Sequence, residues 1–217
     1  MGKGTHRKQR NKRVRRMVDG QRKTSKRVRR MVGGRKKLTS ENTNIIQINS
    51  SDELEMYHDI LVQLTQICEP LDDFTPKINE PHDKFWLAQY RGNGDIVGYF
   101  KSTDLSQYEK NDNFEVVGGI IGKKGLQISG ACNGRPEEYS NLATLLLDNI
   151  EKYARDNHYE YILLHAGKDR GYLVSDGSDG SRKGLYIKAG FEINRILQAG
   201  EGGFSDIDVY IMYKFLV

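Results

Sequence analysis

Only two cysteines, Cys68 and Cys132, occur in the 217 residues. Thiols this isolated suggest neither a disulfide framework nor a zinc cluster, and a reducing compartment is the default. No apolar run approaches the roughly 20 residues that cross a bilayer. The basic N-terminus lacks the apolar segment of a secretory leader. The expectation is a soluble protein, cytoplasmic or nuclear and not secreted, without a membrane partner. Proline is scarce too: three of the four, Pro70, Pro76 and Pro81, fall in residues 70–83, which read as a loop. Ser-His-Asp, Cys-His and metal-ligand spacings are absent, so no metal is expected.

Acids are nearly missing from residues 1–37, which hold 17 Lys and Arg and a single acid, Asp19. The net charge of +5 therefore hides an asymmetry, +16 on the arm and −11 on the rest. The arm repeats itself, KRVRRMVDGQRKTS at Lys12 to Ser25 and KRVRRMVGGRKKLTS at Lys26 to Ser40. Its few Val, Met and Leu side chains cannot offset the entropy of ordering, so residues 1–40 are expected to be disordered. Arg13, Arg15, Arg16, Arg27, Arg29, Arg30, Lys36 and Lys37 suit phosphate neutralisation, which makes nucleic acid the expected partner; nuclear import uses the same residue types. Met31-Val32-Gly33-Gly34-Arg35 resembles the Gly-Gly-X sites cut by adenovirus-type and ubiquitin-like-protein proteases, and reads equally as a flexible turn.

The remainder, residues 41–217, reads as one medium domain. Ile45 to Ile48 suggest a first strand. Ser50 to Glu53 cap a helix from Asp52 to about Glu69, with Leu54, Tyr57, Leu61, Leu64 and Ile67 at helical spacing. Phe85 to Tyr90 and Ile96 to Phe100 read as a hairpin around Arg91-Gly92-Asn93-Gly94-Asp95. Residues 101–113 read as polar loop, and Phe114 to Ile121 as a β-branched strand. The organising block follows: a strand over Gly125 to Cys132, a turn at Asn133 to Pro136, a helix from about Glu138 to Asn157, a strand over Tyr161 to Ala166 and the run GLYIKAGF at Gly184 to Phe191. Val209 to Leu216 alternates as a final strand. Strands and helices in this order make an α/β layout.

LAQYRGNGDIVGYF and GLYIKAGF resemble the GCN5-related N-acetyltransferase (GNAT) family. The resemblance covers about residues 45–217. It implies a mixed, mostly antiparallel, splayed sheet flanked by helices. It also implies acetyl-CoA as cofactor, with pantetheine in the opening between two strands and pyrophosphate at a helix N-terminus. The implied cofactor residues are Ile128, Gly130 and Cys132 on the strand, and Asn141, Leu142, Ala143 and Thr144 at the helix start. The family's Gln/Arg-x-x-Gly-x-Gly/Ala signature is matched only at Ala143; Glu138 stands where Gln or Arg belongs and Asn141 at the first glycine. The tyrosine of GLYIKAGF, Tyr186, implies a general acid, since a phenol with a pKa of about 10 holds its proton at neutral pH; a core tyrosine is the plain alternative. His165 is the candidate base, or a hydrogen-bonded structural histidine. Glu201 and Asp206, with Asp208 beyond them, stand where the family binds acceptors and suit a small-molecule or peptide amine.

Two rivals remain. Gly122-Lys123-Lys124-Gly125 also resembles the nucleic-acid clamp of KH domains, which needs helices on either side. A GNAT fold without activity, using its arm to hold nucleic acid, is the other. The oligomeric state is not readable.

The arm yields one expectation for experiment. Full-length protein binds DNA or RNA with little sequence preference, and its affinity drops by orders of magnitude, about 10³-fold or more if six or more phosphates are neutralised, between 50 and 200 mM salt. Fluorescence anisotropy checks this; unchanged affinity after deletion of residues 1–37 contradicts it.

Overall fold

The computed structural model describes residues 34–68, 76–109, 114–116, 118–168, 173–175, 177–178, 183–201 and 207–216. Arm positions 1–33, including Arg13, Arg15, Arg16, Arg27, Arg29 and Arg30, lie outside the described residues. Lys37–Val217 is one compact unit.

Among the described residues, seven strands form one sheet. They are β1 (Thr43–Ile48), β2 (Asp83–Tyr90), β3 (Ile96–Asp104), β4 (Gly125–Asn133), β5 (Tyr161–Gly167), β6 (Glu192–Leu197) and β7 (Val209–Phe215), in the order β1-β2-β3-β4-β5-β7-β6. The β4–β5 pair is parallel and the other neighbours are antiparallel. The helices are α1 (Ser51–Glu55), α2 (His58–Cys68), α3 (Leu142–Asp156) and α4 (Leu185–Lys188). This is the mixed, mostly antiparallel, helix-flanked sheet expected from the sequence.

The first helix is two. Ser50 caps α1, accepting from the Glu53 N–H, but the chain breaks at Met56–Tyr57 before α2. Met56 is exposed at the break. The polar stretch after Phe100 is strand rather than loop, because β3 is paired on both sides as far as Thr103 and with β4 through Asp104. Its polar side chains have partners: the Trp86 indole N–H donates to the buried Ser102 hydroxyl at 2.8 Å.

Among the described residues of 114–121 the expected strand is absent. They are turns and irregular chain, with Gly118 at φ 101°. A Cβ at Gly119 would lie 2.3 Å from the Phe114 ring, so the chain folds back on its own aromatic. Phe114 is buried with Tyr161, Leu163, Ile211 and Tyr213. The Tyr161 hydroxyl accepts from the Ile120 N–H, and the Tyr213 hydroxyl donates to the Gly118 carbonyl. This segment plugs a sheet face instead of adding an edge. Gly122 to Gly125 is a turn leading into β4 with no helix beside it, which removes the KH reading.

Helix α3 starts at Leu142, four residues later than the apolar pattern suggests, because Tyr139 and Ser140 are extended. Its buried residues are Leu142, Leu145, Leu146, Leu147, Ile150 and Ala154. It packs with Trp86, Val97, Phe100, Leu126, Ile128, Ile162 and Leu164 into the main core on one sheet face. A second core, holding Leu54, Leu61, Leu64, Phe85, Leu87 and Tyr99, lies under α1 and α2 on the opposite face. Leu38 is fully buried in the main core, so the folded unit takes in residues assigned above to the disordered arm.

The cysteines are not isolated. Cys68 at the end of α2 is bonded to Cys132 near the end of β4, with Cα atoms 5.7 Å apart and a sequence separation of 64. Only the fold brings them together, so spacing gave no sign of it. Closing a loop of this length removes entropy from the unfolded chain. Cys68→Ser is expected to lower stability by about 2–4 kcal/mol in urea denaturation. Reductant should lower the parent protein by the same amount and leave Cys68→Ser unmoved.

Candidate active site

Strands β4 and β5 pair only from Gly125↔Tyr161 to Ile128↔Leu164. Beyond that point both continue, but not together. Strand β4 stays with β3 as far as Asn133↔Gly98, and β5 with β7 as far as Gly167↔Val209. Backbone groups of Ser129–Asn133 therefore border the parting without a ladder to β5. Such groups need partners, and an extended ligand can supply them, much as an added strand does. The parting coincides with a bulge. Ser102 pairs with Ile128 and Lys101 with Gly130, leaving Ser129 as the extra residue on β4. A bulge bends and over-twists its strand, which turns β4 away from β5.

Of the expected strand residues, Ile128 is the last paired position and points into the main core. Gly130 is at the opening, where a Cβ would meet nothing closer than the Lys101 Cβ at 3.5 Å. Cys132 has its sulfur in the disulfide and is buried, so only its backbone is left for a ligand.

The helix end is built by three features. Asn141 adopts φ 69°, ψ 10°, the left-handed region, which asparagine tolerates better than other non-glycine residues. Its Nδ2 donates to the Leu38 carbonyl at 2.9 Å, and the Leu38 N–H donates to the Ser140 carbonyl at 3.0 Å. Gly98 does the rest: a Cβ there would lie 2.4 Å from both Leu142 Cδ2 and the Cys132 carbonyl, so glycine lets the first turn of α3 press onto β3 and β4. Leu142 is buried, Ala143 half-buried and Thr144 exposed. The first-turn amides have no intrahelical acceptors and carry the positive end of the helix dipole.

Acids stand nearby. Glu137 and Glu138 are exposed in the turn before Tyr139. Glu138 is 3.9 Å from Arg135 Nη1, which is 2.6 Å from Asp95. Against acetyl-CoA, the group implied by the resemblance, the donor set fits. Open backbone flanks the parting, a glycine sits within it, and a left-handed turn precedes free helix amides. The acids of the turn are the one opposing feature, and Arg135 draws Glu138 to itself.

The two candidate proton carriers lie on opposite sheet faces. Tyr186 is half-buried against the main core and meets the Phe191 ring edge-on, centroids 6.1 Å apart. Along β5, Ile162, Leu164 and Ala166 point into that core, whereas Tyr161 and Leu163 point the other way. His165 belongs with the second set, just past the last β4–β5 pair, its Nδ1 3.4 Å from Gln127 Nε2. Of the expected acceptor-loop acids, Asp206 lies outside the described residues. Glu201 accepts from the Gln198 N–H at 3.0 Å. Asp208 is held below the usual carboxylate range, first by the Ala199 N–H and then by Lys168.

Sequence reasoning missed a polar chain on the His165 face. Buried Asp83 pairs with Lys101 at 2.8 Å and accepts from Thr103 Oγ1 at 2.8 Å. Thr103 Oγ1 is in turn 3.1 Å from Ser129 Oγ, at the bulge. Nearby Tyr108 has its phenol pushed up by burial and then by the Asp83 charge. The signal was there in Lys101 and Thr103, alternate residues of β3, but their polarity reads as loop.

No family model matches the sequence, and no curated protein matches it. Among solved structures, Arabidopsis thaliana NAA60 in complex with acetyl-CoA superposes with a TM-score of 0.55 at 16% identity, covering 80% of this chain and 98% of that one. An N-acetyltransferase from Staphylococcus aureus Mu50 superposes with a TM-score of 0.53 at 12% identity, covering 80% and 97%. At such identities the likeness is one of architecture, and with the parted strands, the β4 bulge and the helix start it is specific: the chain has the fold of the GCN5-related N-acetyltransferases.

Proposed function

We propose that the domain is an acetyl-CoA-dependent N-acyltransferase, acting on a small-molecule or peptide amine, and that its basic arm binds nucleic acid. The observation that carries the catalytic reading is the parting of β4 and β5 beyond Ile128 and Leu164, with the α3 amides close by. The backbone around Gly130 would hold the pantetheine, and the amides of Asn141 to Thr144 the pyrophosphate. Bound there, acetyl-CoA supplies an acyl thioester activated toward amines. His165 receives the proton that the attacking amine loses as its nitrogen bonds to the acyl carbon. Tyr186 delivers a proton to the sulfur as the carbon–sulfur bond breaks. Among the acceptor-loop acids, Glu201 and Asp206 would meet the amine. The 17 cationic residues of the arm support a polyanion partner. The acids Glu137 and Glu138 favour a second reading, a GNAT fold that holds nucleic acid without catalysis.

Two expected outcomes separate these readings. A carboxylate about 6 Å from a phosphate costs on the order of 0.7 kcal/mol in high dielectric. Glu138→Gln should therefore tighten acetyl-CoA binding by about threefold in calorimetry with an unchanged melting temperature. Tyr186→Phe should lower kcat by about 10²-fold or more while leaving acetyl-CoA affinity within twofold. If neither the parent protein nor Glu138→Gln shows any heat of binding or melting shift with millimolar acetyl-CoA, the non-catalytic reading holds.

A further inference from the structure

A hydroxyl carries one proton, so a row of hydroxyls ending on a carboxylate has a forced direction. Asp83 paired with Lys101 can only accept. Thr103 Oγ1, 2.8 Å from Asp83 Oδ1, commits its proton to that carboxylate. At the 3.1 Å contact between Thr103 Oγ1 and Ser129 Oγ, Ser129 must then be the donor. With its proton committed, Ser129 has only lone pairs to offer. It is exposed, it is the extra residue of the β4 bulge, and it lies where β4 and β5 part.

We propose that Ser129 binds the acceptor amine, taking a hydrogen bond from its N–H at the opening, with Thr103 and Asp83 as positioning residues that fix which way the hydroxyl points. This rests on the acyltransferase reading above and adds to it a residue and a selection rule. The register puts Ser129 on the correct side. Thr103 is paired with Asp83 on β2 and with Gln127 on β4; Gln127 is paired with Leu163 on β5. Residues directly opposite share a sheet face, so the chain of hydroxyls, Gln127 and His165 all face away from α3. The groups around Ser129 also carry little net charge, because Lys101 balances Asp83. Selection there works by hydrogen-bond polarity rather than by attraction of a cation. A neutral amine, which is the nucleophilic form, donates to Ser129; an ether or ester oxygen, which carries no hydrogen, cannot.

The test uses full-length protein and three ligands: CoA, a bisubstrate in which the CoA sulfur carries a CH₂–C(=O)–NH–butyl group, and its ester counterpart, CH₂–C(=O)–O–butyl. Calorimetry on the parent protein should show the amide bound about five- to tenfold more tightly than the ester. Ser129→Ala should erase that preference while CoA affinity stays within twofold. Thr103→Val removes the group that fixes the Ser129 proton, so the ester should gain and the preference should narrow from the other side. A merely structural role for Thr103 would weaken both ligands alike. If CoA binds and Ser129→Ala keeps the amide preference, Ser129 has no such role and the acyltransferase reading stands. If CoA does not bind the parent protein, both fall together. Ser129 is exposed, so its alanine variant should fold even if Thr103→Val does not, and that variant alone decides the outcome.

Discussion

Four residue pairs, from Gly125↔Tyr161 to Ile128↔Leu164, hold β4 to β5, and the fold becomes useful where the fifth pair fails to form. A parallel pair buried under helices would ordinarily run on, since unpaired backbone is costly away from water. Here each strand has a second neighbour that does continue. The bulge at Ser129 shortens β4 relative to β3 by one residue and re-aims it, while β5 keeps its register with β7 through Gly167. The sheet gives up pairing on one line and keeps it on both sides of that line. What remains is a parting whose two walls are each held in register by an outer neighbour.

The helix that closes one end of this parting depends on residues far from it in sequence. Gly98 on β3 makes room for Leu142. Leu38, from the segment joining the arm to the domain, supplies a carbonyl for the Asn141 side chain and an N–H for Ser140. Each such hydrogen bond contributes about 1 kcal/mol net, and burying the Leu38 side chain about 2 kcal/mol. Together these offset the cost of a left-handed non-glycine residue, about 1–2 kcal/mol. The substitution of Asn for Gly and the docking of Leu38 therefore belong together, because the same side-chain amide links them.

This pairing also explains how far the sequence could be read. Elements with a strong pattern were legible: the body of α3, the hairpin, β5 and β7. By letter the signature at the helix start is met only at Ala143, and no comparison of letters shows that Asn141 takes up a left-handed conformation. The strand expected at Phe114 to Ile121 failed because its β-branched residues are apolar for a different reason, the plugging of a face through two glycine-dependent turns. Residues Lys101 to Thr103 failed in the opposite sense. They are polar yet paired on both edges, and no local pattern announces that Ser102 will meet an indole or Thr103 a carboxylate. The disulfide was illegible on the same ground, since a separation of 64 residues carries no information about distance in space.

The buried Asp83–Lys101 pair bears on how the proton roles divide. A buried ion pair is a weak source of stability, because desolvation of both charges opposes their attraction. Its oxygens are also saturated: Oδ1 accepts from Thr103, and Oδ2 accepts from the Asn79 N–H at 3.0 Å and from Lys101 at 2.8 Å. A carboxylate with every useful direction filled is poorly placed to take a proton from a substrate, and it is two hydroxyls removed from the opening. Its consequence is orientation, passed along Thr103 to Ser129. Under the proposed reaction, proton removal falls to a group beside the parting strands on the same face, where His165 lies one residue beyond the last β4–β5 pair and next to Gln127. The proposal thus assigns hydrogen-bond direction to Ser129 and proton acceptance to His165, residues of adjacent strands, so that one would hold the amine while the other takes its proton.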